Sequence, residues 1–396
     1  MPAYRRPAAG PLSALVAAVI LLAACSSPPG YVPGTPLSVE PDAPPIPSDP
    51  RAADDISVPQ GFLAYEFAHG LKLPTSLALD PFGRLFVAEL EGAVKVIEDR
   101  DRDGLGDRPR SYWRDPNERS TLGLAVAPDG SVYVSIKGKV VVLPDGDGDG
   151  RADGEYVIIS GLPHGVHQNN GIAFGPDGKL YITNGSTCNL CREKDERSAA
   201  ILRSQPDGDN LEVYARGLRN PYDLTFDGEG GLWATANEHD FFEPSDDGLT
   251  PLRDPPEELN YIVKGGDYGW PECAGRNRET TQDGCRGNLA PAAEMEPHSS
   301  ADGLAYYDAA HFPAEYRRNF FVAQFGSDKR AQTRTGRQVV RIQVTPVAGS
   351  TPPSATVTRF ASGFERPLDV TVDVLGTLYV ADFASGKIYR IIRFGP

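Results

Sequence analysis

Methionine occurs twice and tryptophan three times in 396 residues, and 39 basic residues face 54 acidic ones. The resulting net charge of −15 excludes general nucleic-acid binding, which needs a basic face to displace counterions. It equally excludes electrostatic docking on anionic lipid. Motifs of several chemistries are missing: no GxGxxG, no HExxH and no GxSxG. After residue 60 no long segment carries a helical apolar period. What is plentiful is 42 Gly and 36 Pro, together with 40 % hydrophobic residues, enough for a sizeable core. The expectation is an acidic, turn-rich, all-β body.

Residues 1–24 read as an export signal, with Arg5 and Arg6 ahead of an apolar stretch from Leu12 to Leu22 that is too short to span a bilayer. Leu22-Ala23-Ala24-Cys25 resembles the lipobox of bacterial lipoproteins. That resemblance implies lipidation of Cys25 and a cell-envelope location, and Ser26 after the Cys favours the outer membrane. The other reading is an ordinary secreted protein cut after Ala24, with Cys25 a free thiol. Residues 25–59 hold ten prolines and scattered single apolar residues, which describes an extended tether.

From residue 60 to 396 one pattern recurs: an apolar strand, a Pro-Asp-Gly-type turn, and a second strand carrying an aromatic. The aromatics are Phe86, Tyr133, Tyr181 and Trp233, with looser copies of the pattern around Phe321 and Tyr379. Pro fixes φ in such a turn and Gly accepts φ > 0, while β-branched and aromatic residues suit strands buried on both faces. A period of about 50 residues is one four-stranded propeller blade. Six repeats therefore predict a six-bladed β-propeller, one ring in place of the two or three domains that length alone suggests. Between Trp233 and Phe321 the period is exceeded by about 35–40 residues, an insertion of the kind that carries function.

Two loops place carboxylates at alternate positions before a Gly: Asp99, Asp101 and Asp103 with Asp107, and Asp145, Asp147 and Asp149 with Asp153. Such spacing converges oxygens on a hard cation such as Ca²⁺; the competing reading is a pair of solvated turns. Four Cys remain besides Cys25, and in an exported chain they are expected as disulfides. Of three pairings the local one (Cys188 with Cys191, Cys273 with Cys285) is the simplest. Arg192 stands where haem attachment would need His. His167 precedes the first strand of the third repeat and Arg219 that of the fourth. A His base beside an Arg donor suits an oxidation that releases a proton and develops negative charge.

Residues 161–181, 217–226 and 256–271 resemble the soluble glucose/sorbosone dehydrogenase family, and Gly185-Ser186-Thr187-Cys188-Asn189-Leu190-Cys191 its sorbosone-type branch. The resemblance spans the body from about residue 60 onward and implies a six-bladed propeller that binds pyrroloquinoline quinone and Ca²⁺ and oxidises sugars, polyols or aldehyde hydrates. It places His167 as the base for the substrate hydroxyl and Arg219, with Asn220, beside the quinone oxygen. Gln168, Lys329 and Arg366 follow as cofactor contacts. The chain differs from the family at Val166 and Ser186, where acidic residues orient the base, and at Glu118, where the family has a glutamine. It reads Asn237-Glu238-His239 where backbone carbonyls would hold the cofactor Ca²⁺, so Glu238 becomes a candidate side-chain ligand. The alternative is a non-catalytic propeller that binds a glycan or an envelope partner. The electron acceptor is left open.

Overall fold

The computed structural model describes residues 44–47, 53, 55–240, 245, 247–276, 278–327, 334–345 and 354–394. The export signal, Cys25, most of the tether and Lys329 lie outside the described residues. Six four-stranded antiparallel sheets stand in a ring. Blade 1 runs Pro74–Leu79, Leu85–Glu89, Ala93–Ile97 and Arg110–Arg114, from the axis outward. Blade 2 starts at the axis with Thr121–Val126, blade 3 with Asn169–Phe174 and blade 4 with Asn220–Phe226. Blade 5 starts with Ala301–Tyr307 and blade 6 with Pro367–Val372. These six innermost strands touch in cyclic order, blade 6 returning to blade 1.

The predicted marker aromatics all fall on the second strand of a blade, and each seam between blades is one apolar cluster. Phe86 and Val94 of blade 1 pack with Val132 and Val134 of blade 2, and the other five seams repeat this arrangement. A single sheet would leave one apolar face wet; the ring covers both. Phe321 is fully buried at the seam between blades 5 and 6. Phe321→Ala is expected to destabilise the ring by about 3–5 kcal/mol, the cost of a large cavity in a packed core. Chemical denaturation with an unchanged m-value would check it.

Closure uses an element that the repeats do not announce. Phe62–Ala68 crosses the ends of the chain and pairs with Lys387–Arg393, becoming the outermost strand of blade 6. Asp369 Oδ2 on blade 6 then accepts the Leu77 N–H of blade 1 (2.6 Å). Asp223 Oδ2 does the same for Leu304 between blades 4 and 5 (2.8 Å). At the β-turns of one face, Asp80 Oδ1 accepts the N–H groups of Phe82 and Arg84, as Asp373 Oδ1 does for Leu375 and Thr377. Gly130 and Gly178 complete two of these turns at φ of 86° and 71°, which a side chain would strain.

The long insertion in blade 4 lies on both sides of Glu257–Ile262. Its second half is a small hairpin, Cys273–Ala274 with Arg278–Glu279, tied by the Cys273–Cys285 disulfide. Cys188 and Cys191 form the other bridge.

Candidate active site

Strands alternate in direction, so the face where the innermost strands begin also carries every loop between second and third strands. It gathers His167, Gln168, Arg219, Asn220 and Arg366 with the segments 184–200, 237–240, 247–257, 324–327 and 334–338. Backbone strain concentrates there: Leu73, Ser120, His298 and Ser300 all take φ between 50° and 60° just before an innermost strand. The two Asp loops join third to fourth strands and lie on the opposite face.

His167 is half-buried. Its Nδ1 stands 2.8 Å from Ser186 Oγ and 3.1 Å from the Ser186 carbonyl. A carbonyl only accepts, so Nδ1 carries the proton and Nε2 keeps its lone pair. Ser186 Oγ in turn donates to the Cys188 carbonyl (2.7 Å). Burial first, then the nearby Arg219 cation, lowers the His167 pKa to about 3. The ring is therefore neutral near pH 7, with a bare nitrogen. Gly185 makes room for it: a Cβ there would sit 2.6 Å from His167 Cβ and 2.5 Å from Asn220 Oδ1.

Arg219 is buried, and chain acceptors surround its guanidinium. Nε donates to the Asn189 carbonyl (2.8 Å) and Nη2 to Asn189 Oδ1 (2.6 Å). Nη1 donates to the carbonyls of Glu238 (2.7 Å) and Asn237 (3.2 Å). Asn189 also exchanges hydrogen bonds with the Asp240 backbone. The Cys188–Cys191 loop thus reaches both candidates, His167 through Ser186 and Arg219 through Asn189.

Asn220 Oδ1 accepts from Asn170 Nδ2 (2.9 Å), and Gln168 Nε2 donates to the Ser120 carbonyl (2.7 Å). Arg366 Nη1 donates to the Gly326 carbonyl (2.8 Å), its guanidinium over the Phe325 ring. Glu118 pairs with Lys139 Nζ (2.5 Å), so its charge is neutralised within the chain. Val166 is 63 % exposed and does not orient the base; Ser186 does.

Behind Arg219 lie the carboxylates of Glu238, Glu257 and Glu258, all buried. Burial raises Glu238 to about 7 and the other two to about 8. Glu257 accepts the N–H groups of Glu238 and Ser300, and Glu258 those of Gly275 and the Asn260 side chain. Two buried oxygens on this loop, Glu238 Oε2 and Asn237 Oδ1, have no hydrogen-bond partner. The carbonyls of 237 and 238 are engaged by Arg219, so the oxygens here without a hydrogen bond belong to side chains, Glu238 Oε2 lying 3.5 Å from His239 Nδ1. Asn189, Asn170 and the Glu257–Glu258 pair were missed by sequence reasoning, although Asn189 sits inside the conspicuous Cys-x-x-Cys.

On the opposite face, one carboxylate oxygen from each of Asp99, Asp101 and Asp103 falls within 4.8 Å of the others, as do those of Asp145, Asp147 and Asp149. Asp107 pairs with Arg100 (3.3 Å), and Asp153 Oδ2 accepts the Gly146 N–H (2.7 Å).

The sequence pattern of the family described as "Domain of unknown function (DUF7133)" matches residues 48–389. The chain belongs to the DUF7133 family. An uncharacterized protein of Borreliella burgdorferi is 25 % identical to this DUF7133 chain over 224 residues, 54 % of the chain and 57 % of that protein. Quinoprotein glucose dehydrogenase B of Acinetobacter calcoaceticus is 30 % identical over 151 residues, 30 % of the chain and 29 % of the enzyme. The chain thus spans little more than half the length of the first of these relatives and less of the second. Among solved structures, the holo PQQ domain of pyranose dehydrogenase from Coprinopsis cinerea superposes with a TM-score of 0.71. That comparison covers 85 % of this chain and 97 % of the domain at 19 % identity. The DUF7133 chain therefore has the six-bladed propeller fold of PQQ-dependent sugar dehydrogenases.

Proposed function

We propose that the chain is a quinoprotein oxidoreductase that oxidises a sugar, polyol or aldehyde hydrate, with pyrroloquinoline quinone and Ca²⁺ as its cofactors. The observation that carries this reading is His167, a neutral imidazole whose protonated Nδ1 is fixed on Ser186 and whose Nε2 is bare. It stands on the face that carries Arg219 in a fold of sugar dehydrogenases. A polyanionic quinone calls for cationic partners, and Arg219 and Arg366 are present on that face; Lys329 is proposed as a third. Glu238 Oε2, buried, without a hydrogen-bond partner and 3.5 Å from His239 Nδ1, suits a Ca²⁺ ligand. Bound there, the quinone would supply the two-electron acceptor that no side chain provides.

The chain's own part is acid–base and electrostatic. His167 Nε2 takes the proton of the substrate hydroxyl as the adjacent C–H is oxidised, and Ser186 keeps the ring in the tautomer that allows this. The Arg219 cation favours negative charge developing on its side of the site. Gln168 and Asn220 border the same space, their amides already oriented by Ser120 and Asn170. The export signal and the lipobox-like Cys25 place the enzyme, in this proposal, on a lipid anchor at the outer membrane, facing the periplasm.

The reading is tested by adding the quinone and Ca²⁺ to the purified chain and following dye reduction over a panel of aldoses, polyols and aldehydes. Turnover on at least one of them is expected. No reduction with any of them would end the proposal.

A further inference from the structure

The two Asp loops share more than a sequence pattern. In the second loop the Asp145 side chain is 4 % exposed. Its Oδ2 accepts the Gly150 N–H (3.1 Å) and faces Arg84 Nη1 at 3.8 Å. Its Oδ1 is buried with no hydrogen-bond partner. The first loop repeats the contacts with a less buried side chain, 18 % exposed: Asp99 Oδ2 accepts the Gly104 N–H (3.1 Å) and faces Arg390 Nη1 at 3.8 Å, and Oδ1 is buried with no hydrogen-bond partner. A carboxylate oxygen withdrawn from water without a partner is costly. Each such oxygen is carried by one of three carboxylates that each bring an oxygen within 4.8 Å of the others. Three converging carboxylates, one of which carries a buried and unsatisfied oxygen, make a seat for a hard divalent cation, with carbonyl oxygen and water completing its six to eight ligands.

Position in the fold gives these seats a role. Each loop is docked on the blade before its own. In the first, the Gly106 N–H donates to the Phe67 carbonyl (2.9 Å), and Arg390 Nη1 to the Gly104 carbonyl (2.8 Å). Phe67 and Arg390 belong to the two outermost strands of blade 6, including the N-terminal strand that closes the ring. In the second, the Ala152 N–H donates to the Tyr112 carbonyl (2.9 Å), and the Tyr112 hydroxyl to the Leu143 carbonyl (3.0 Å), across the seam between blades 1 and 2.

We infer that the Asp99–Asp103 and Asp145–Asp149 loops are two Ca²⁺ sites that clip blade 1 to blade 6 and blade 2 to blade 1, on the face away from His167. They hold the ring closed and take no part in the redox chemistry.

Calorimetric titration of the chelator-treated full chain with Ca²⁺, without quinone or sugar, tests this. Two equivalents assignable to the loops are expected, with Tm rising by about 5 °C at saturation. Asp101→Asn and Asp147→Asn change exposed side chains outside the core. Each is expected to weaken one site by at least about tenfold and to remove roughly half of the Tm rise. Glu238→Gln is expected to leave both sites intact, which separates them from a cofactor ion. The inference is overturned if the wild-type chain shows neither Ca²⁺ uptake nor a Tm rise. It is equally overturned if the Asp101→Asn/Asp147→Asn double variant binds Ca²⁺ and gains Tm like the wild type.

Discussion

His167→Ala is expected to lower turnover in the quinone-reconstituted enzyme by about 10³-fold, within the range a positioned general base supplies. The fold should persist, because the ring is half-buried and belongs to no blade seam. Equal losses in kcat and kcat/KM would show that the base acts in the transition state. Its pH behaviour follows from the folded pKa of about 3 against 6.5 for an ordinary imidazole. The unfolded chain takes up a proton that folded His167 refuses, so the stability due to the neutral ring is full above about pH 6.5 and is lost as pH falls toward 3. Activity should likewise show no inflection from His167 between pH 6 and 9. Ser186→Asp would set a carboxylate beside Nδ1, where Ser186 Oγ now lies at 2.8 Å. The acid limb of the rate profile should then move upward by about 1–3 pH units. A profile unchanged in Ser186→Asp would contradict the assigned role of Ser186.

Cys188→Ser/Cys191→Ser is expected to reduce turnover by about 10²-fold, an effect of misplacement and not of lost chemistry. The bridge bounds the loop whose Cys188 carbonyl orients Ser186 and whose Asn189 supplies two acceptors to Arg219. Freed, that loop no longer holds either candidate. The accompanying loss of stability should be modest, about 2 kcal/mol for so short a loop. Asn189→Ala separates the two arms: it removes the Oδ1 acceptor of Arg219 and of the Asp240 N–H while leaving the bridge and Ser186 in place. Its pH profile should match that of the wild type, with only the rate reduced. Full activity in the double Cys variant would show that the loop positions nothing.

The six blades were legible because each places its aromatic on the second strand, in five of them after a turn whose Asp and Gly leave a mark in the sequence. Phe62–Ala68 was not: its partner, Lys387–Arg393, lies at the other end of the chain, and local periodicity carries no information about a strand's neighbour. Within the site, His167 and Arg219 stood out because each precedes an innermost strand, and the structure brings both onto one face. The hydrogen bonds that define them were not readable. Asn189 serves Arg219 across 30 residues, and Lys139 neutralises Glu118 across 21. Such pairings arise from how loops fold back on one another at the blade ends, not from any spacing along the chain. The Glu257–Glu258 pair was visible as sequence, but only burial behind Arg219 gives it shifted protonation.

The most direct measurement is a titration of the purified full chain with pyrroloquinoline quinone in the presence of Ca²⁺, read by the visible absorption retained after desalting. The wild type should keep one equivalent, and an oxidisable sugar should then bleach the quinone band. His167→Ala should keep the equivalent and leave the band unchanged. Failure of the wild type to retain any quinone, or bleaching by sugar at the wild-type rate in His167→Ala, would contradict a quinoprotein site built on His167.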